Sequence, residues 1–294
     1  MDCSLIHGMT SHVILHSGME TKYQVILVRH GESTWNAENR FTGWYDCPLS
    51  IKGEEQAIDA GRLIHEYETM QRGKQLKEHL DRGPYFDLAF ASFQKRAIKT
   101  LWYILEQIDY MYIPVINAWE LNERHYGALE GLNKHETAKK YGQEQVLKWR
   151  RSFDTMPPLC STDSEFHARN DIKYANIPNA CEVTGESLKM TAERVIPYWE
   201  KVIKPQLLMG KRIIIAAHGN SLRSLVKYLD QISDEEIPLV NIPMGFPLIY
   251  DFDENFHVIP SHQGIAPLRV SWSSIRSCFS LIREMLGVFS GGYR

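Results

Sequence analysis

Two short stretches of this sequence end alike, in an apolar run, a histidine and a glycine: Val28-Arg29-His30-Gly31 and Ala217-His218-Gly219-Asn220. A strand that ends in a sharp turn delivers its last side chains to the carboxyl edge of a sheet, where ligands bind in open α/β folds. Two imidazoles at one such edge could ligate a metal, move a proton or act as nucleophiles. Other polar groups fall at matching places. Arg96 follows the apolar run Leu88–Ala91, and Glu123 lies in the compact segment Leu121-Asn122-Glu123-Arg124-His125-Tyr126-Gly127. His30, His218 and Glu123 have the composition of a two-histidine, one-carboxylate zinc site. Arg29 and Arg96 would then stand beside a dication, which is electrostatically unfavourable. Guanidinium forks suit phosphate or carboxylate, so an anion site without a metal is expected.

The elements that would position these groups are legible in the apolar pattern. Tyr23–Val28, Leu88–Ala91, Ile213–Ala217 and Pro247–Phe252 read as buried strands. Ala97, Leu101, Ile104, Leu105 and Ile108 form one helical stripe; Leu188, Ala192, Val195 and Trp199 form another. Ser50 is placed to cap a helix running to about Tyr67. This alternation predicts an α/β fold of three layers, a mainly parallel sheet covered by helices on both faces. Residues 23–258 would form that domain, with 1–22 as a poorly ordered N-terminal extension. Met70–Gly83, rich in charge, reads as a surface insertion at 70–83. Ser152–Gly185, with Pro157, Pro158 and Pro178, reads as a loop over the site. Residues 259–294 form a separate tail in which Ile275, Phe279, Ile282 and Met285 could share one amphipathic helix face.

Composition narrows the function class. A chain of 294 residues, 44% hydrophobic and carrying 7 Trp, 14 Tyr and 11 Phe, can fill a large core. Its 33 basic and 36 acidic residues leave a net charge of −3, which argues against a general nucleic-acid binder. The longest aliphatic run, Ile213–Ala217, is far too short to cross a membrane, and the first 22 residues lack a secretory or mitochondrial pattern. Five scattered cysteines, Cys3, Cys47, Cys160, Cys181 and Cys278, contain no C-x-x-C pair and read as reduced thiols. A cytoplasmic protein is expected.

Longer motifs are more specific. Arg29-His30-Gly31-Glu32 is the R-H-G-E motif of the histidine phosphatase superfamily. Leu27–Asn36, Asn39–Asp46, Leu121–Leu132, Trp149-Arg150-Arg151 and Ala217–Ser221 together resemble the cofactor-dependent phosphoglycerate mutases, over about four-fifths of the chain from Tyr23 to His257. The resemblance implies a phosphoglycerate mutase-like fold. It also implies interconversion of 3-phosphoglycerate and 2-phosphoglycerate, in glycolysis and gluconeogenesis, through a phosphohistidine primed by 2,3-bisphosphoglycerate. No metal is implied. The expected partners are small phosphoglycerates, without nucleic acid or membrane, and a second or further copies of the chain as a dimer or tetramer.

By the same resemblance His30 is the nucleophile and Glu123 the proton donor and acceptor, with Arg29, Arg96 and His218 completing the catalytic set. Asn36, Thr42, Gly43, Arg124, Tyr126, Lys134, Arg150, Arg151, Gly219 and Asn220 are the implied substrate-binding residues. Physical logic fits these roles. A nucleophilic imidazole must be neutral, and Arg29 repels the imidazolium. Six cations (Arg29, Arg96, Arg124, Lys134, Arg150 and Arg151) gathered in one cleft would attract a small polyanion. Bisphosphoglycerate mutases carry a bulkier residue at position 43, so Gly43 favours the glycolytic enzyme. The alternatives are a phosphohistidine-type phosphatase, a bisphosphoglycerate mutase, or a binding protein that has lost turnover.

Two departures from the family pattern are visible near the end of the likeness. Val183-Thr184-Gly185-Glu186-Ser187-Leu188 has one residue more than usual, and Ile259–Arg294 does not resemble the lysine-bearing tail that closes over the family's site. With such a closure altered, more bisphosphorylated intermediate should escape to water. Inorganic phosphate released per isomerisation should therefore exceed that of a family member with the usual tail; equal release would contradict this.

Overall fold

The computed structural model describes residues 21–77 and 84–259. Five strands, β1 (Tyr23–Arg29), β2 (Leu88–Ala91), β3 (Val115–Asn117), β4 (Ile213–Ala217) and β5 (Pro247–Phe252), form a sheet in the order β3-β2-β4-β1-β5. β3, β2, β4 and β1 run parallel, and β5 is antiparallel to β1. Six helices matter for the site: α1 (Ile51–Lys77), α2 (Lys95–Gln107), α3 (Lys134–Tyr141), α4 (Gln143–Arg151), α5 (Leu188–Tyr198) and α6 (Gly219–Leu229).

The middles of β1, β2 and β4 are apolar because both faces of the sheet are covered there. Val25 and Leu27 of β1 pack with Leu188 and Val195 of α5 and Leu222 and Leu225 of α6. Ile26 and Val28 point the other way, onto Ala60 and Ile64 of α1 and Leu101 and Ile104 of α2. Burying each large aliphatic side chain contributes roughly 1.5–3 kcal/mol, so neither column tolerates polar residues. The three-layer α/β fold expected from the sequence is the fold observed.

Several expectations need correction. β3 was not among the four expected strands: all three of its residues are exposed at the sheet edge, so no buried run marked it. α1 does not stop near Tyr67 but continues to Lys77, taking in most of the expected Met70–Gly83 insertion. Its charges are spaced for the helix, as Arg72 Nε meets Glu68 Oε1 one turn back at 2.7 Å and Arg72 Nη2 donates to Tyr110 Oη at 2.6 Å. Ser152–Gly185 is largely irregular, but it packs behind the Thr42–Tyr45 turn, with Tyr174 and Ala180 against Trp44. The expected extension at 1–20, the remainder of the insertion at 78–83 and the tail at 260–294 lie outside the described residues.

Neither glycine after the two histidines has a positive φ, so no left-handed backbone requires glycine at these turns. They permit close approach instead. A Cβ on Gly31 would lie 2.0 Å from the Gly53 carbonyl oxygen, and one on Gly53 would lie 1.9 Å from the Glu32 carbonyl oxygen. The start of α1 is thereby pressed onto the segment that follows β1. No described helix is long and apolar enough to cross a membrane. Cys47, Cys160 and Cys181 are free thiols.

These contacts make opposite predictions for two glycines of α1. Gly53→Ala should lower the unfolding free energy by about 1–3 kcal/mol through overpacking against backbone. Gly73, where an added Cβ would meet nothing within 4 Å, should instead gain roughly 0.5–1 kcal/mol as Gly73→Ala. Urea unfolding of both variants checks the pair.

Candidate active site

Strand register brings the two histidines together. Arg29 lies opposite Ala217 in the neighbouring parallel strands β1 and β4, and the His30 N–H donates to the Ala217 carbonyl at 2.9 Å. One residue further on, the imidazoles of His30 and His218 stand with ring centroids 4.9 Å apart and planes tilted by 58°. β2 is the other neighbour of β4, so Arg96 at the start of α2 arrives at the same edge.

His30 has a defined hydrogen-bonding state. Its Nδ1 lies 2.6 Å from the Gly31 carbonyl oxygen, which can only accept, so Nδ1 carries the proton. Nε2 therefore presents a lone pair, and Arg96 Nε donates towards it at 3.4 Å. Burial, followed by the guanidinium charges of Arg96 and Arg29, holds the His30 pKa well below the usual histidine value. Repulsion from Arg29, expected from the sequence, is thus the least of the three effects that lower it, and the Gly31 hydrogen bond opposes them. His218 Nε2 pairs with Ser92 Oγ at 2.7 Å, and burial and Arg96 depress its pKa as well.

Arg96 is wholly buried, yet its guanidinium is held by main-chain carbonyls, those of Tyr45 at 2.9 Å and Gly43 at 2.8 Å. Glu123 is a buried residue rather than a surface one. Its Oε1 accepts from the Arg124 N–H at 2.8 Å, the Asn220 N–H at 3.0 Å and Asn220 Nδ2 at 2.9 Å. That leaves Oε2 to hold or release a proton. Gln94 connects the two regions, donating from Nε2 to the Gly43 carbonyl and accepting the Glu123 N–H through Oε1.

His30, Arg29, Arg96, Glu123 and Asn220 line a cavity of about 190 Å³. Of the residues expected from the sequence, Arg29, His30, Asn36, Thr42, Gly43, Arg96, Glu123, Tyr126, Lys134, Arg150, Arg151, Gly219 and Asn220 all line it. Asn36 accepts the Ser33 N–H through Oδ1 at 3.2 Å. Two expected residues stand behind the wall. Arg124 is buried with its guanidinium 4.6 Å from the centre of the Tyr126 ring, and His218 lies behind His30. No residue of Ser152–Gly185 lines the cavity, so the loop expected over the site is not there.

Arg223, Asn241 and Ile242 also line the cavity and were missed. Arg223 was discoverable, because its position three residues after Asn220 on α6 makes the two neighbours on one helix face; Arg223 Nη1 donates to Asn220 Oδ1 at 3.0 Å. Asn241 and Ile242 come from an irregular segment before β5, and no local pattern marks them. Ile242 nevertheless anchors Arg29, whose Nη1 donates to the Ile242 carbonyl at 2.7 Å.

The cavity suits an anion. Arg29 Nε, Arg124 Nε and Nη1, and Arg223 Nε are buried with no acceptor among the described residues. Burial and neighbouring cations lower Lys134 to about 8 and Arg223 to about 9, changes that a bound polyanion would reverse. One donor atom each from His30, Glu123 and His218 come within 4.8 Å of one another, so these three could also hold a metal ion. Arg96 Nε, facing the His30 lone pair, opposes a dication there. The residues fit an anion better than a cation.

Comparison with known proteins gives a consistent setting. Residues 25–173 match the family described as histidine phosphatase superfamily (branch 1). A mycobacterial glucosyl-3-phosphoglycerate phosphatase superposes with a TM-score of 0.56 at 18% identity, covering 80% of this chain and 92% of that one. The α-ribazole phosphatase of Shigella flexneri gives 0.55 at 21% identity, covering 84% and 99%. A phosphoglycerate mutase from Bacillus anthracis gives 0.56 at 16% identity, covering 87% and 96%. At these identities the likeness is one of fold.

The hydrogen bonding of His30 predicts its tautomer, and its burial beside Arg96 and Arg29 predicts its titration. Nitrogen NMR should find Nδ1 protonated and Nε2 bare, with the ring still neutral well below 6.5, the ordinary value. An ordinary midpoint would contradict this. Unfolded His30 takes up a proton that the folded protein excludes, so this group's contribution to stability is complete above 6.5 and is lost as pH falls below it. His30→Gln should lessen that loss.

Proposed function

The chain belongs to the histidine phosphatase superfamily, branch 1, and from that premise we propose that it is a phosphoglycerate mutase, interconverting 3-phosphoglycerate and 2-phosphoglycerate through a phosphohistidine at His30. The observation that carries this reading is a neutral His30, with its Nε2 lone pair facing Arg96, beside the buried carboxyl of Glu123. The likeness to solved phosphatases and to a mutase fits the same chemistry.

With His30 already phosphorylated, Glu123 Oε2 takes the proton of the substrate's free hydroxyl as that oxygen attacks phosphorus and the phosphorus–Nε2 bond breaks. This leaves a bisphosphorylated glycerate and a free Nε2 lone pair. Rotation of this intermediate presents its other phosphoryl group. Nε2 forms a bond to that phosphorus as the phosphorus–oxygen bond to the glycerate breaks, and the departing oxygen takes the proton back from Glu123. Arg29, Arg96 and Asn36 donate to the phosphoryl oxygens, where charge spreads in the transition state. Bound 2,3-bisphosphoglycerate would supply the phosphoryl group that primes His30, and the protein groups that hold it would be Arg29 and Arg96 at one end and Lys134, Arg150, Arg151 and Arg223 at the other.

That second cluster favours a mutase over a simple phosphatase. A monoester needs one phosphate cradle, whereas Lys134, Arg150, Arg151 and Arg223 extend the cationic lining beyond His30. Such a pocket can retain a doubly phosphorylated intermediate while it turns. Self-association and action in the cytoplasm belong to the same proposal, on the resemblance alone.

The decisive experiment is conversion of 3-phosphoglycerate with and without priming bisphosphate, in chelator. Turnover should depend on the primer, and acid-labile, base-stable phosphate should appear on His30. His30→Ala should abolish both. Glu123→Gln should slow turnover by about 10²–10⁴-fold while His30 still takes up label from the bisphosphate. Phosphate release without isomerisation would make the protein a phosphatase; labelling and full turnover in His30→Ala would refute the nucleophile.

A further inference from the structure

Glu130 does not line the cavity, yet it holds two of its walls. Its buried Oε1 accepts the Trp44 N–H at 3.0 Å and the Tyr126 N–H at 3.0 Å. Trp44 sits between Gly43 and Tyr45, whose carbonyls fix the Arg96 guanidinium at His30. Tyr126 Oη accepts from Asn220 Nδ2 at 3.3 Å, and the same Nδ2 serves Glu123. One carboxyl thus ties the nucleophile's guanidinium to the proton donor's amide. The turn is shaped for it, since Gly43 has φ +52 and a Cβ there would fall 1.8 Å from Glu130 Oε1.

The proton state follows from the contacts. Glu130 Oε1 lies 3.1 Å from His125 Nδ1, and the Gly127 N–H already donates to that nitrogen at 2.9 Å. Two lone pairs at that separation repel unless a proton lies between them. No lysine or arginine forms an ion pair with Glu130 among the described residues; what faces the carboxyl is the main-chain N–H groups of Trp44, Tyr126 and Tyr45, with the Arg96 guanidinium beyond them. An ionised carboxylate would therefore rest on main-chain dipoles alone, buried and without a paired cation. Burial acts in the same sense, raising Glu130 to about 8 and lowering His125 to about 4. The other groups facing the pair are Arg96 from α2, Cys160 and His167 from the 152–185 segment, and Glu186 and Arg194. Glu186 is occupied by Arg194 at 2.6 Å and by the His125 N–H at 2.8 Å.

We infer that Glu130 is a positioning residue for phosphoryl transfer: as an un-ionised acid sharing its proton with His125, it clamps the Gly43–Tyr45 turn to Tyr126 and so holds Arg96 at His30 Nε2. The inference rests on His30 being the phosphoryl acceptor. It goes beyond that reading by giving the site a neutral second tier whose ionisation would loosen it.

Glu130→Gln keeps the shape and an acceptor oxygen; Glu130→Leu keeps only the volume. Glu130→Gln should stay within about fivefold of the parent in kcat/KM, whereas Glu130→Leu should fall about 10–100-fold and weaken sulfate binding about tenfold, since small misplacements of catalytic groups have effects of that size. Infrared difference spectra at neutral pH should contain the carbonyl band of a protonated carboxylic acid, lost in Glu130→Gln. The activity of the parent relative to Glu130→Gln should fall as pH rises through about 8; Lys134 titrates in both proteins and cancels. A Glu130→Leu protein with parental kcat/KM, an absent acid band, or a ratio flat with pH would each overturn the inference. If Glu130→Leu does not fold, the spectrum and the ratio decide. If the parent forms no phosphohistidine, that reading fails, while the spectrum and sulfate binding still test the clamp.

Discussion

The guanidinium groups of the cavity are held by main-chain carbonyls and not by carboxylates. Arg29 donates to Ile242, Arg96 to Gly43 and Tyr45, and Arg151 to Val240, while Arg223 donates to Arg151 and Ile237. A neutral acceptor fixes a cation without cancelling its charge. Glu123 is the one carboxylate among the lining residues, against five arginines and Lys134. Away from the cavity the chain does the opposite, and Arg194 is neutralised by Glu186 at 2.6 Å. Burial keeps His30 neutral, and the uncompensated charge adds to that effect, because an imidazolium would increase it. These cations also give the cavity a concentration of positive charge in a protein whose net charge is −3.

Such a cluster stands only if the backbone is placed before the charges arrive. The parallel pairing of β1 with β4, and of β4 with β2, sets three loop starts side by side. Glycines at 31 and 53 allow the start of α1 to press onto the loop after β1 with no side chain between. Gln94 and Glu130 then bind main-chain groups of the 43–45 turn from two directions. Preorganisation of this kind places the donors before substrate binds, so little of the binding energy goes into arranging them.

Most of the cavity was legible in the sequence because strand ends and motif blocks are local features. The four apolar runs located the buried strands, and the residues just beyond them located His30, His218 and Arg96. β3 escaped because its three exposed residues carry no burial pattern. The length of α1 escaped because its second half is polar and is fixed by an ion pair and by Tyr110, which is distant in sequence. Arg124 was expected at the cavity surface but lies one layer deeper, under Tyr126; residue type cannot distinguish a side chain that touches a ligand from one that supports the side chain that does.

What the sequence determined by itself was the layer architecture and the identity of the chemical groups, since apolar period and motif spacing are properties of neighbouring residues. Tertiary structure alone decided the state of those groups. The bare Nε2 of His30 depends on the Gly31 carbonyl, the orientation of Asn220 on Arg223, and the pairing of Glu130 on His125. Proton positions and charge follow from burial and from partners within about 3 Å, and those distances exist only once the strands are in register.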